Sequence, residues 1–495
     1  MARVLLVNPP NHLHDLFDLA PPLGLMILAE IAIDSDWEVD FLDLSIPARA
    51  SIANSPSDFY AAVTNEIQSI DPDVVALTSM GVNTHVSLEI ARRIKEKKHS
   101  VFTIVGGPHC SSIHRDIIEN YSWIDCVITG EGEDAFRQFL RNAKRAIEGG
   151  MDRTLLPKTL QSNPGVTPKH PHRAYDVIRL ADYFSSNERR LLNYEGGRGC
   201  VFKCSFCYSP THYHQVYDSA GNEIAEDWAR LEALGARHIF MVQDNFTNNP
   251  MHAKAVCRAI SKASLDVRWN GYATLPQLNP ELIEVLAHSG CEAMYLGIDA
   301  VTPTQQESFR KYFYSDDSQL LKKLLLLRDV GVIPTCAFMI DLYDFNPDDA
   351  ENVFRVAISC AANNLPIRIN TFTRYPGSML FGAGCSNSIY SEAKVRLMYD
   401  CPEVVCRNSY AEQCPSLFPF HSTEIAEPLW RERLQSIWLA QLLIQRYAKE
   451  LTEFAQADDN RIWSGIREIG KMFDGLELSS GEQMKNRAVD AFEAC

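Results

Sequence analysis

The sequence lacks three features: long apolar runs, an excess of basic over acidic residues, and cysteines in regular pairs. No apolar run approaches the ~20 residues that span a bilayer, and we find no signal peptide, so we expect a cytoplasmic protein without a membrane partner. The net charge of −16 argues against a nucleic-acid partner, since phosphate contacts need clustered Lys and Arg. Most of the 14 cysteines are scattered among apolar residues, which makes a disulfide framework unfavourable.

The chain does have the size and composition of a multidomain globular protein. Its 495 residues, 46% of them hydrophobic and 22% charged, predict two or three domains, each able to bury its own core. With nucleic acid and membrane disfavoured, a small-molecule substrate is the expected partner.

Residues 1–148 alternate short β-branched runs with amphipathic stretches, which predicts an open parallel α/β sheet. Ligands of such sheets bind at the carboxyl ends of the strands. Small and hydroxylic residues follow those ends and would let a bulky ligand approach the backbone. The candidates are Pro9, Thr78, Ser79, Met80, Gly106, Gly107, Pro108, Gly130, Glu131 and Gly132.

The remainder of the chain is predicted to contain a linker and two more regions. Residues 149–190 are expected to form the linker, after which β/α alternation returns over 191–378 with six strand-like segments, as in a partial barrel. Gly235, Gly290 and Gly331 each end a helical pattern just before a strand, as left-handed helix caps do. Residues 379–495 are predicted to form a mainly helical region that is rich in aromatic residues.

Three cysteines stand in the loop that follows the first strand of the second α/β region. Cys200, Cys204 and Cys207 have Cys-x3-Cys-x2-Cys spacing. Three thiolates can hold three irons of a four-iron four-sulfur cluster and leave the fourth iron open to a ligand that is not protein. Zinc is the alternative, with His212 or His214 as the fourth ligand, but the ligand pairs of structural zinc sites are usually Cys-x2-Cys units.

The stretch "RGCVFKCSFCY" resembles the signature loop of radical S-adenosylmethionine (SAM) enzymes. The earlier segments "VNPP", "APPLGLMILAE", "VVALTSM", "IVGGPH" and "ITGEGEDAF" resemble the cobalamin-binding domain of the cobalamin-dependent (class B) subgroup. The resemblance implies a Rossmann-like cobalamin-binding sheet, then a partial (β/α)6 radical SAM barrel and a helical C-terminal region. The implied cofactors are a 4Fe-4S cluster, SAM and cobalamin, with the ten strand-end residues above as cobalamin contacts.

Four further residues receive SAM-binding roles from the same resemblance. Phe206 would pack at the adenine, Gln243 and Asp244 would face the methionine end, and Asp299 would accept the ribose hydroxyls. The sequence also departs from the subgroup: "YATLP" stands where the third barrel strand often ends in an Arg, and Asp341-Leu342-Tyr343 stands where Gly-Leu-Pro is frequent. These changes predict an altered SAM or substrate geometry.

The reaction that the resemblance implies is a C-methylation of an unactivated carbon in a small-molecule natural-product intermediate. One SAM would methylate cobalamin, and a second would give the 5′-deoxyadenosyl radical that takes hydrogen from the substrate. An electron donor such as flavodoxin or ferredoxin is expected. The alternative is ring formation, rearrangement or dehydration by the same architecture, with or without cobalamin.

Two other functions and one cobalt ligand are disfavoured. A carrier or electron-transfer protein would hold its cluster with four protein ligands, and a tRNA-methylthiolating enzyme would carry three more cluster cysteines in the first domain. Residues 1–150 lack Asp-x-His-x-x-Gly, so we expect no histidine on cobalt; the candidates would be His12, His14, His85, His109 and His114. Cys401, Cys406 and Cys414 match no auxiliary-cluster spacing, and we interpret them as structural.

Overall fold

The structure is a computed structural model. It describes residues 1–10, 19–46, 56–162, 170–213, 215–382, 387–399, 409–457, 462 and 465–466. The predicted or candidate residues His12, His14, His214, Cys401 and Cys406 therefore lie outside the described residues.

The first domain is built on six parallel strands in the order β2-β1-β3-β4-β5-β6. The strands are β1 Arg3–Asn8, β2 Glu38–Asp43, β3 Val74–Thr78, β4 Phe102–Gly106, β5 Cys126–Thr129 and β6 Thr159–Gln161. The helices are α1 Leu23–Asp34, α2 Pro56–Ile70, α3 Thr84–Lys97, α4 Pro108–Ser112, α5 His114–Asn120 and α6 Glu133–Ile147. Strand order reverses between β1 and β3, which is where such sheets bind ligands.

Strand β6 comes from the segment expected to be a linker. Its residues pair with β5, Val127 with Thr159 and Ile128 with Leu160, so this part of 149–190 extends the first sheet. Three residues with one buried side chain give too weak an alternation for a strand to be predicted.

The second domain is an open barrel of six parallel strands in the order β14-β13-β12-β11-β10-β7. These are β7 Leu191–Tyr194, β10 His238–Met241, β11 Arg268–Ala273, β12 Cys291–Asp299, β13 Ile333–Ile340 and β14 Ile367–Thr371, and a small hairpin joins β8 Gly197–Arg198 to β9 Tyr217–Asp218. The helices are α7 Leu180–Ser186, α8 Ser209–His212, α9 Gly221–Ala233, α10 Pro250–Ala263, α11 Pro280–His288, α12 Pro303–Phe309, α13 Asp317–Asp329 and α14 Pro347–Ala362.

The predicted fold class is confirmed by these two sheets, and the helix ends follow the sequence signals. Gly235, Gly290 and Gly331 have φ of +100°, +79° and +90°, the left-handed conformation expected of caps. Each cap turns the chain from a helix into the next barrel strand. Because all six strands are parallel, their carboxyl ends lie at one rim.

The C-terminal region packs on both domains. It contains β15 Ile389–Tyr390 paired with β16 Ser422–Thr423, and the helices α15 Glu392–Met398, α16 Ser409–Gln413 and α17 Glu427–Ala457. Helix α17 lies against α14 and β14 of the barrel. On the first domain, Tyr399 donates a hydrogen bond of 3.3 Å to the carbonyl of Val82. Within the described residues, each helix is too short or too polar to cross a bilayer.

Candidate active site

A cavity of about 430 Å³ lies between the strand ends of the first domain and the segment that follows Cys207. Eight of the ten expected cobalamin contacts line it: Thr78, Met80, Gly106, Gly107, Pro108, Gly130, Glu131 and Gly132. Tyr208, His212 and Tyr213 line the same cavity from the barrel side. The cavity is therefore bounded by both domains.

Pro9 and Ser79 do not line this cavity. Ser79 is fully buried and its hydroxyl lies 2.6 Å from the hydroxyl of Thr84, so it stabilises the turn that starts α3. Because alternate residues point to opposite sides of an extended chain, its neighbours Thr78 and Met80 face the cavity instead.

Gly107 lets the loop after β4 approach the loop after β3. Its φ is +112°, and a Cβ atom at this position would lie 2.5 Å from the carbonyl oxygen of Ser79. Only glycine tolerates both conditions. Gly106 and Gly107 line the cavity, so no side chain at these positions would keep a bulky ligand such as cobalamin from the backbone.

Sequence reasoning missed one wall of the cavity. Pro22, Leu23 and Gly24 at the start of α1, together with Phe136 of α6, complete its apolar lining. The quoted segment "APPLGLMILAE" contains three of these residues, but a helix start gives no signal of its own for ligand contact. The apolar lining fits a ligand whose hydrophobic ring must leave water.

The candidate histidines of the first domain take other positions. His85 and His109 are buried and do not line the cavity, and burial lowers the pKa of His109 to about 4. The ring of His114 lies 2.9 Å from the carbonyl oxygen of Ser111. His212, from the barrel side, is the histidine that lines the cavity among the described residues.

The cysteine loop is held by side chains that follow β10. The backbone N–H of Gly199 donates to Asp244 over 2.9 Å, and the N–H of Val201 donates to the Asn248 side chain over 3.1 Å. Asn248 in turn donates to the carbonyl of Gly199 over 2.8 Å. Asn248 was not among the predicted residues, because its role depends on a contact across 47 residues of sequence.

Cys204 is buried, and Cys200 and Cys207 on either side of it are half-buried. Burial raises the pKa of Cys204 to about 11 and that of Cys207 to about 12. The N–H of Ser209 donates to the sulfur of Cys207 over 3.4 Å, a contact that suits a sulfur with negative charge. Thiols that do not ionise alone need a strong cation to do so, and iron supplies it, so this donor set fits a cluster. Within the described residues, no three or more His, Cys, Asp or Glu side chains form a group arranged to hold a metal ion, and this holds for the three cysteines themselves.

The predicted SAM-binding side chains are already engaged by protein partners. Asp299, at φ +57°, forms a buried ion pair with Lys311, a residue that was not predicted. The Lys311 ammonium also lies 5.7 Å from the ring centre of Phe206, which packs on Phe309. Asp299 and Phe206 therefore meet through Lys311. Gln243 donates a hydrogen bond of 2.6 Å to Asp218 on β9.

Arg198 connects the cysteine loop to the first domain. Its guanidinium is buried and donates to Glu131 over 3.1 Å, to Glu133 over 2.6 Å and to Glu195 over 2.8 Å. Burial raises the pKa of Glu195 despite the nearby guanidinium, and the negative charges of Glu133 and Asp244 act in the same direction as burial. This group of one arginine and three glutamates holds Cys200, two residues after Arg198, in position relative to the cavity rim.

Comparison with known families agrees with this geometry. The family described as B12 binding domain matches residues 15–140, and the Radical SAM superfamily matches residues 194–357. An uncharacterized methyltransferase of Pyrococcus horikoshii is 23% identical over 403 residues, covering 78% of this chain and 84% of that protein. Hopanoid C-3 methylase of Methylococcus capsulatus is 26% identical over 391 residues, covering 76% of this chain and 71% of that protein.

A solved structure shares the fold over the whole chain. The radical S-adenosylmethionine methyltransferase TsrM from Kitasatospora setae, with cobalamin and a [4Fe-4S] cluster bound, aligns with a TM-score of 0.66 and 16% identity, covering 100% of both chains. The chain therefore belongs to the radical SAM enzymes that carry a B12-binding domain ahead of the radical SAM domain.

Proposed function

We propose that this protein is a cobalamin-dependent radical SAM C-methyltransferase acting on an unactivated carbon of a small-molecule natural-product intermediate. The observation that carries the proposal is the shared cavity. The glycine-rich rim of the first domain and the segment that follows Cys207 bound one space, so a methyl carrier and a radical source would act on the same substrate.

Named residues of this chain would hold each cofactor. Cys200, Cys204 and Cys207 would ligate three irons, and the rim residues that line the cavity would contact cobalamin. Asp244 and Gln243 would face the methionine end of SAM, with Phe206 at the adenine and Asp299 at the ribose. When bound, these groups would supply a hydrogen-abstracting radical and a transferable methyl group.

The protein itself orients the reactants and excludes water. Arg198 fixes the cysteine loop against Glu131 of the cobalamin rim, and such positioning accounts for much of the rate where the cofactors carry the chemistry. The C-terminal region covers the first domain beside the rim: the Phe420 ring would lie 2.9 Å from a Cβ placed on Gly81. Tyr375 packs on Phe420 at 5.5 Å and continues this cover from the barrel.

The reaction needs electrons from outside the chain. A flavodoxin or ferredoxin would reduce the cluster. An acidic protein with a net charge of −16 would approach either of these acidic donors through a local patch rather than through its overall field.

The test is an assay of the holoenzyme with SAM that carries a deuterated methyl group. Anaerobically reconstituted protein would be incubated with a reductant and a small-molecule extract of the source organism, and both SAM products and any labelled metabolite would be measured by mass spectrometry. Methylation predicts substrate-dependent 5′-deoxyadenosine and S-adenosylhomocysteine in equal amounts, with CD3 in a product. 5′-Deoxyadenosine without S-adenosylhomocysteine would contradict methyl transfer and favour ring formation, rearrangement or dehydration.

A further inference from the structure

Strand β14 carries an arginine on the inner face of the barrel. Ile367 and Ile369 of this strand are buried in the hydrophobic core, and the backbone N–H of Ile369 donates to Gln441 of α17 at the open edge of the sheet. Because side chains alternate along a strand, Arg368 and Asn370 point the other way, into the barrel. The residue paired with Arg368 on β13 is Ala337, whose small side chain leaves space beside the guanidinium.

Two tyrosines face the same interior space. Tyr272 on β11 and Tyr295 on β12 pack edge to face with ring centres 5.5 Å apart, and Asn370 donates a hydrogen bond of 3.2 Å to the Tyr295 hydroxyl. Burial raises the pKa of Tyr272 to about 12, while the positive charge of Arg368 acts in the opposite direction. The hydroxyl of Tyr272 makes no hydrogen bond within the described residues, so it is available as a donor.

Two other buried cations that follow barrel strands have carboxylate partners. Lys311 pairs with Asp299, and Arg374 pairs with Asp344 and Glu424 at 2.7 Å each. Across the described ranges, the guanidinium of Arg368 forms no ion pair and donates no hydrogen bond. A partly buried guanidinium without a counter-ion is unfavourable, and an anionic ligand would remove that cost.

We propose that Arg368, with the hydroxyl of Tyr272, forms a subsite inside the barrel that binds a carboxylate group. Two ligands could supply the carboxylate: the methionine end of SAM, or an acidic small-molecule substrate. The first source rests on the proposed function.

The first experiment compares the binding of two ligands. Equilibrium dialysis of anaerobic, cluster-reconstituted protein measures Kd for SAM and for decarboxylated SAM, which lacks only the carboxylate. Arg368→Met is compared with Arg355→Met, which removes a guanidinium from α14 on the outer side. A SAM carboxylate in the subsite predicts a Kd for SAM roughly 10- to 100-fold higher in Arg368→Met, an unchanged Kd for decarboxylated SAM, and partial recovery in Arg368→Lys.

The second experiment tests the other source. Phenylglyoxal modification of Arg368 is followed by peptide mass spectrometry in protein saturated with SAM, with benzoate added or with chloride at equal ionic strength. If an acidic substrate is the occupant, benzoate should slow the modification of Arg368 at least about fivefold, a smaller factor than one hydrogen bond to a charged group would give. The Kd for SAM should then be the same in Arg368→Met as in the parent.

The subsite is overturned if Arg368→Met discriminates between SAM and decarboxylated SAM as the parent does and benzoate gives no protection. Iron content equal to that of the parent is required of every variant, so that loss of the cluster is not counted as loss of the subsite. Because both readouts are binding and protection, a failure of methyl transfer leaves their outcome unaffected.

Discussion

Arg198 of the barrel domain donates a hydrogen bond of 3.1 Å to Glu131 of the cobalamin-binding domain. The two residues lie 67 positions apart in sequence, yet both belong to segments that bound the central cavity. The contact is buried, and Glu133 and Glu195 also accept hydrogen bonds from the same guanidinium. The contact therefore holds the cysteine loop against the cobalamin rim. This guanidinium is one of several contacts that hold the two cofactor sites in position, since the C-terminal region also packs on both domains.

Replacing Arg198 by Met should destabilise the protein strongly. Three buried carboxylates would lose their counter-ion, which costs about 3–5 kcal/mol in the free energy of unfolding. Urea unfolding followed by circular dichroism measures the loss. The control is Arg137→Met, which breaks an exposed ion pair with Asp134 and should cost less than about 1 kcal/mol. Equal losses in the two variants would contradict the role given to Arg198.

Gly107→Ala should impair cobalamin binding. The new Cβ would lie 2.5 Å from the carbonyl of Ser79 and would force the rim apart. Gly149→Ala is the matched control, since Gly149 also has positive φ, at +77°, but has no atom within 4 Å of such a Cβ. Spectrophotometric titration with hydroxocobalamin should give a Kd at least about tenfold higher for Gly107→Ala, equivalent to ~1.4 kcal/mol. An unchanged Kd would show that the rim does not contact the corrin ring.

Most of the fold could be predicted from the sequence because its signals are local. Strand runs such as "VVALT" and glycine caps such as Gly331 are determined by residues close together in the chain. Strand β6 could not be predicted, since its three residues, Thr159–Gln161, become a strand only through pairing with Val127 to Thr129 of β5. Its structure is a property of the sheet edge, not of the segment.

Lys311 and Asp299 should be coupled. Lys311→Met leaves a buried carboxylate without a counter-ion, so it should cost about 3–5 kcal/mol in the free energy of unfolding. Adding Asp299→Asn removes that charge, and the double variant should be less destabilised than the sum of the single variants by at least about 1 kcal/mol. Urea unfolding of the four proteins in this cycle measures the coupling. Additive losses would mean that the ion pair does not hold Asp299 in place.

The candidate site was predictable where a motif lies in one loop and not where it depends on distant contacts. Cys200, Cys204 and Cys207 are adjacent in sequence and their spacing carries the chemistry. Lys311 was missed because nothing near it in sequence shows that it faces Asp299. Ser79 was included because it stands between two lining residues, but its side chain points toward Thr84.

His421→Phe should remove an acid-sensitive contact between the C-terminal region and the first domain. Burial lowers the pKa of His421 to about 3, with Lys394 and His109 adding to the effect; His85, Tyr399 and Phe418 pack around the ring. The unfolded state then binds more protons between pH 6.5 and about 3. Stability should fall with decreasing pH across that window, with His421 contributing up to about 1.4 kcal/mol per unit.

The pH dependence is measured by urea unfolding at pH 7, 6, 5 and 4.5. His421→Phe should show a shallower loss of stability than the parent, whereas His99→Phe, which changes an exposed histidine, should follow the parent. Parallel curves for the parent and His421→Phe would contradict a buried neutral His421.

The most direct test of the whole account is the iron, sulfide and cobalamin content of protein purified anaerobically after expression with hydroxocobalamin. The account predicts about four irons, four sulfides and one cobalamin per chain. Cys204→Ala should lose the iron and keep the cobalamin, while Cys257→Ala, in the buried face of α10, should keep both. Iron without cobalamin in the parent, or iron retained in Cys204→Ala, would contradict the assignment of the two cofactor sites.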